Sequence, residues 1–255
     1  MEILRTTGIA LSSRVSGEAD VVCTIYTRDF GKRKFIFKGL KKSRKRSMAA
    51  TEPGAVSTLL YYHRDERDSF IVSDVTVEKY YSSITGDLKK ITNLYFILES
   101  VDKTCGYDIS DSSIFNLILA GIEVLSRTDH PAHLTTFLIL HLLGKHGVLS
   151  DPDICKICGR RRFSSFTIDV IDLRPVCGSC LGENPTGPWQ RTTLLPEAMK
   201  DYIQKCMSEK FGNIDCSAYD EKDILDLLFT VSLFMENYYH MELKSKSFIF
   251  SDRFA

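Results

Sequence analysis

The chain carries no net charge and no apolar run long enough to span a bilayer. It also carries none of the short signatures of the common catalytic centres. There is no Gly-x-x-x-x-Gly-Lys-Ser/Thr phosphate loop, no His-Glu-x-x-His pair and no Gly-x-Ser-x-Gly turn. P-loop nucleotide hydrolysis, zinc-peptidase chemistry and α/β-hydrolase chemistry therefore have nothing to work with, and no enzyme is expected. Without a bilayer-length run there is no spanning helix. Residues 1–16 are interrupted by Glu2, Arg5 and Arg14 and lack the apolar core of a secretion signal, so a cytoplasmic location is expected. A reducing cytoplasm keeps thiols free, and the 8 cysteines then need an explanation other than disulfides. Internal repeats and low-complexity segments are absent as well.

What is present is an ordinary globular composition, 44% hydrophobic and 26% charged, over 255 residues. That length allows one or two domains with a sizeable core. The zero net charge hides a segregation. Residues 1–50 hold 12 Lys/Arg against 4 Asp/Glu, a balance of +8, and the rest of the chain carries the compensating −8. A charge run alone is most simply a solvated face. Here the excess centres on Arg28-Asp-Phe-Gly-Lys-Arg-Lys-Phe-Ile-Phe-Lys-Gly39 and continues through Leu40-Lys-Lys-Ser-Arg-Lys-Arg46. As a strand, Lys34 to Lys38 sends Phe35 and Phe37 to one face and Lys34, Ile36 and Lys38 to the other. A basic sheet face continued by a flexible basic arm suits a polyanion, either nucleic acid or an anionic membrane surface. The candidate nucleic-acid-binding residues are Arg28, Lys32, Arg33, Lys34 and Lys38 on the strand and its entry. Lys41, Lys42, Arg44, Lys45 and Arg46 form the arm.

Around this stretch, period-two segments fall at 4–11, 20–27, 54–62 and 70–77, the last two parted by the charged turn His63-Arg64-Asp65-Glu66-Arg67-Asp68. Five strands in about 77 residues fit a small barrel of the OB type, whose groove commonly holds single-stranded nucleic acid. A five-stranded barrel or sandwich without a ligand fits the same strand count. The period then becomes helical. Leu88, Ile91, Leu94, Tyr95 and Leu98 share a face, Ser110 or Asp111 can cap a second helix, and Pro131 suits the first turn of a third. A fourth helix begins near Pro196 and a fifth, apolar nearly all round, spans about Asp220 to Leu243. The expected architecture is α+β: a barrel at 1–80, then an all-helical domain at 81–255 with an inserted module at about 152–182.

That module contains Cys155-Lys-Ile-Cys158 and Cys177-Gly-Ser-Cys180. Two Cys-x-x-Cys turns eighteen residues apart can set four thiolates around one tetrahedral ion, so Cys155, Cys158, Cys177 and Cys180 are the candidate ligands of a structural zinc. An iron site of the rubredoxin kind, a redox dithiol pair or coincidental core cysteines would share the spacing. Residues 163–173 read as a hairpin joining the two halves. Cys23, Cys105, Cys206 and Cys216 have no such spacing. Arg160-Arg161-Arg162 either extends a nucleic-acid surface or is plain exposed charge, and the histidines read as core or surface imidazoles.

The order of these pieces resembles the bacterial RecO family of recombination mediators. The resemblance is carried by Ser16-Gly-Glu-Ala-Asp20, Tyr26-Thr-Arg-Asp-Phe-Gly-Lys32, Lys38-Gly-Leu-Lys-Lys-Ser43, Glu52-Pro-Gly-Ala55, the paired Cys-x-x-Cys and Leu243-Lys-Ser245. It spans nearly the whole chain. It implies an OB fold, a helical domain and a zinc module. It also implies binding of single- and double-stranded DNA, annealing of complementary strands, and action with RecR to load RecA on DNA coated by single-strand-binding protein (SSB), whose acidic C-terminal tail would dock on the helical part.

Composition alone also permits an RNA-binding or ribosome-associated OB protein with a zinc module. A nucleic-acid-modifying zinc enzyme would need an open metal position, which four cysteines do not leave. A pure protein scaffold would give the +8 segment no task.

Overall fold

The computed structural model describes residues 2–63, 69–183, 187, 189 and 192–251. The period-two segments form β1 (Glu2–Ser16), β2 (Asp20–Thr27), β3 (Gly31–Phe37), β4 (Val56–His63) and β5 (Phe70–Lys79). They close into a barrel in the order β1-β2-β3-β5-β4, the OB-type arrangement expected. β1 runs well past residue 11, and its exposed polar half, Ser12–Ser16, pairs with β2. The pairing with β2 begins at Gly8 and shifts register between Ala10 and Ser12, while Glu2–Ile9 pair with β4. β3 meets β5 in parallel only at Phe35↔Phe70 and Ile36↔Ile71. The charged turn expected after His63 lies outside the described residues.

Alternation fills the barrel. Phe35 and Phe37 are fully buried, while Lys34 before them is exposed and Ile36 between them is half-buried. The Phe35 ring meets Tyr61 edge-on at 5.2 Å and Phe70 at 5.9 Å. Each such side chain taken from water stabilises the fold by about 1.5–3 kcal/mol. The basic segment after β3 carries local structure. Two single turns of 3-10 helix, Leu40–Lys42 and Met48–Thr51, put Leu40 and Ala50 into the barrel core. The Lys41 amide donates to Ala19 O, and Ser43 Oγ accepts from the amides of Lys45 and Arg46.

Four helices of this period follow: α1 (Ser82–Thr85), α2 (Leu88–Thr104), α3 (Ser112–Leu125) and α4 (Pro131–Lys145). Asp87 caps α2 by accepting from Lys90 N, and Asp111 caps α3 by accepting from Ser113 N and Ile114 N. The chain divides into two compact units, Met1–Thr128 and Asp129–Ala255. Residue 80 marks the change of period, but α2 packs on β1, so α1 to α3 group with the barrel and not with the later helices.

The second unit is helical with a small sheet. The sheet is ordered β7-β6-β8, from β6 (Ser165–Ile168), β7 (Pro175–Cys177) and β8 (Leu195–Pro196). Helices α5 (Gly178–Glu183), α6 (Ala198–Ser208), α7 (Glu221–Tyr238) and α8 (Lys246–Ile249) complete it. α7 packs on α4 and buries a continuous run from Asp226 to Met235, the central helix its composition predicts. The hairpin is displaced from 163–173: Phe166 pairs with Cys177 and Ile168 with Pro175. Asp169 is the reason. Its buried carboxylate accepts from Ile171 N and its amide donates to Arg174 O, so residues 169–174 become the turn. Among the described residues no helix is long and apolar enough to cross a membrane.

Candidate metal centre and nucleic-acid surface

β7 delivers Cys177 directly from its last residue, and α5 holds Cys180 one turn on. Across from them, a tight turn presents Cys155 and Cys158. Cys155 N donates to Arg160 O and its carbonyl accepts from Gly159 N at 3.0 Å. Gly159 sits at φ 71°, a left-handed position that glycine takes without strain. The four sulfurs all lie within 4.8 Å of one another, with Cys158 and Cys177 at 3.8 Å. A tetrahedral ion with Zn–S bonds of about 2.3 Å requires sulfurs about 3.8 Å apart, so the residues fit such an ion. Three of the four are buried, and Val176, Trp189 and Phe163 pack around them.

The thiols also conflict with one another in the way a cation would resolve. Desolvation pushes Cys155 up, but the amides of Cys158, Cys177 and Ile157 overcome it and bring the thiol down to about 6. Hydrogen bonding with Cys158, followed by desolvation, pushes Cys180 up to about 12. Outside the sulfurs, the Lys156 ammonium bridges the buried Asp169 carboxylate and Asp172, the latter at 3.0 Å, and ties the first turn to the hairpin. Arg160, Arg161 and Arg162 all stand exposed beside this turn.

The basic candidates of the first unit separate into two groups. Lys32 is buried: its ammonium donates to Asp102 O, lies 3.4 Å from Asp102 Oδ1 and sits 4.4 Å from the Tyr107 ring centre. Arg33 belongs to the same face as Phe35. Its guanidinium pairs with Asp108 at 2.6 Å, donates to Tyr61 Oη and covers the Phe30 and Phe70 rings. Both cations are engaged by groups of the protein itself. Lys38 pairs with Asp20 at 2.6 Å and Lys42 with Glu18 at 3.2 Å, both exposed. Arg46 is half-buried and donates to Lys38 O. Arg28, Lys34, Lys41, Arg44 and Lys45 are exposed and form no ion pair among the described residues. They follow the β2–β3 ribbon from its turn at Arg28, through Lys34 opposite Thr24, to the folded segment beyond Gly39.

A feature that the spacing did not announce lies beside β3. The link between α2 and α3 lies along its edge: Tyr107 bridges Lys32 in parallel and Asp108 N donates to Lys32 O at 3.0 Å. Asp108 itself takes φ 58°. Gly31 makes this approach possible, since a Cβ there would lie 1.9 Å from Ile109 O, and its own φ is 68°. Gly31→Ala is expected to lower stability by at least the ~1–2 kcal/mol of a left-handed non-glycine residue, read as a lower urea midpoint at unchanged slope. A midpoint equal to that of the parent protein would show that the link is not held this way.

An OB-type barrel with a cationic ribbon, joined to a helical unit that carries a four-cysteine cluster, is the class these features define. Residues 1–81 match the family model described as recombination protein O N terminal. The chain is 25% identical over 223 residues to the DNA repair protein RecO of Acetivibrio thermocellus, covering 87% of this chain and 88% of that one. It is 23% identical over 251 residues to the RecO of a Thermoanaerobacter species, 98% of each chain. Over a shorter stretch of 160 residues it is 31% identical to the RecO of Heliobacterium modesticaldum. Over most of its length the chain is thus similar to RecO proteins, and its first 81 residues match the N-terminal model of that family.

Proposed function

We propose that this chain is a DNA repair protein that acts as a recombination mediator without catalysing a reaction itself. It binds single- and double-stranded DNA, anneals complementary strands and helps RecR load RecA onto SSB-coated single strands. The observation that carries this reading is the row of exposed cations without an ion pair among the described residues, Arg28, Lys34, Lys41, Arg44 and Lys45, on an OB-type barrel. Phosphate contacts of this kind position a strand without reading its bases, which suits a protein that must accept any sequence. Similarity to RecO proteins supports the DNA assignment over RNA. Cys155, Cys158, Cys177 and Cys180 would hold a zinc ion, which supplies structure and leaves no open position for chemistry. A cleft lined by Leu140, His141, Gly144, Lys145, Leu149 and Met207 offers apolar walls and an ammonium, the two features an acidic tail with a hydrophobic end needs, and we place the SSB tail there.

The deciding experiment is annealing of complementary strands coated with SSB. The protein is expected to accelerate annealing with no nucleotide present and to hydrolyse none. A tail peptide should compete, and RNA should displace single-stranded DNA poorly. Absence of annealing, or nucleotide turnover lost on mutating one of the chain's own residues, would overturn the reading.

A further inference from the structure

The link between α2 and α3 presents an aromatic ring where the proposed DNA strand would pass. Tyr107 is 45% exposed, and its backbone is fixed in a sheet-like bridge to Lys32. Two ammonium groups attend the ring: Lys32 at 4.4 Å and the exposed Lys34 at 4.9 Å from its centre. Lys32 is buried and already bound to Asp102, so it fixes the ring in place. Lys34 is a member of the cationic row.

The placement is held from several directions. Asp108, the next residue, is locked by Arg33 at 2.6 Å and by its amide bond to Lys32 O. Two residues further on, Ile109 is 65% exposed, and its backbone lies in the space that Gly31 leaves open. Tyr26 Oη donates to Asp111 O at 3.4 Å and so ties the far end of the link to the barrel. An aromatic face next to a phosphate-seeking ammonium is the combination by which single-stranded nucleic acid is held without base preference. A duplex, with its bases already stacked on one another, has no free base face to offer.

We propose that Tyr107 is a base-stacking residue for single-stranded DNA, with Lys34 holding the adjoining phosphate. The proposal rests on the DNA-binding reading above and adds to it a means of telling single strands from duplex. Stacking is a contact with an uncharged partner, so its loss leaves the number of released counterions unchanged.

The test compares Tyr107→Ala, Tyr107→Phe and Tyr107→Trp in the full-length protein, with single-stranded and duplex oligonucleotides over a range of salt. Tyr107→Ala should weaken single-strand binding by about 5- to 140-fold, the worth of one stacked base, at an unchanged salt slope. Duplex binding should stay as it was. Tyr107→Phe should bind like the parent protein, and the new indole of Tyr107→Trp should be quenched by single strands and not by duplex. Each variant's melting temperature is read alongside, and the Phe and Trp variants keep the ring that covers Lys32. Single-strand affinity unchanged in Tyr107→Ala would overturn the proposal. So would an equal loss for both DNA forms with a shallower salt slope, since Tyr107 would then only position the lysines. If the parent protein binds no DNA at all, the functional reading fails first, and the indole of Tyr107→Trp stays unquenched.

Discussion

Reversing Lys41, Arg44 and Lys45 to Glu is expected to abolish strand annealing and to weaken binding to every DNA sequence alike. Each phosphate contact contributes about 0.7 units of log–log salt slope on a single strand, so removing three should flatten the slope by roughly two units. At about 50 mM salt this amounts to a loss of roughly two to three orders of magnitude in affinity. All three side chains are exposed and form no ion pair among the described residues. Their removal should therefore leave the fold and the melting temperature in place. Lys32→Met supplies the contrast. Lys32 is spent on Asp102 and Tyr107 inside the protein. Its loss should cost stability while changing the salt slope little. A triple variant that keeps its fold and still binds with the parental slope would make the cationic row a solvated face and nothing more.

The second large effect concerns the cysteines. Protein purified under reducing conditions should carry one zinc per chain, and Cys155→Ser or Cys177→Ser should release it. Cys155 Sγ accepts from Cys177 N at 3.4 Å, so these two positions link the halves of the cluster even before metal is considered. Binding of structural zinc contributes about 10–16 kcal/mol in small zinc-finger peptides, and it is folding energy because no preformed site exists in the unfolded chain. Loss of the ion should therefore unfold the turn at 155–159 and loosen β6 and β7, seen as rapid amide exchange there and protease cleavage within 155–180. Emission from Trp189, which packs on the cluster, should report the same event. Elemental analysis finding no metal would sink the assignment. Iron in place of zinc, seen as visible colour, would keep the site and change the ion.

Much of this was legible before any coordinates. β2 falls on the residues its β-branched pattern marks, and the helix starts follow from Asp111 and Pro131. The Cys-x-x-Cys spacing carries its own geometry. Local periodicity has no access to partners far along the chain, and the basic strand shows it. Lys32 and Arg33 look like their neighbour Lys34 in sequence, but Asp102 and Asp108, some seventy residues on, claim them. The arm at 41–46 reads as flexible because it is polar. Leu40 and Ala50, on either side of it, are packed in the barrel core, and two isolated apolar residues give no periodic signal. Likewise the division after Thr128 depends on α2 lying against β1, a contact between segments that local spacing treats as unrelated. A signal for the β3 edge did exist in Asp29-Phe30-Gly31. A glycine there is read most simply as a turn residue, which hides its role as the gap through which another segment approaches.

That gap bears on how an open sheet edge is covered. β3 is paired fully to β2 on one side, but β5 meets it at only two positions on the other. The stretch from Gly31 to Lys34 would otherwise offer bare amides and carbonyls in an extended row, a template on which a second chain could add a strand. The link carrying Tyr107 and Asp108 occupies that row. Covering an open edge in this way is one of the means by which sheets avoid adding a foreign strand.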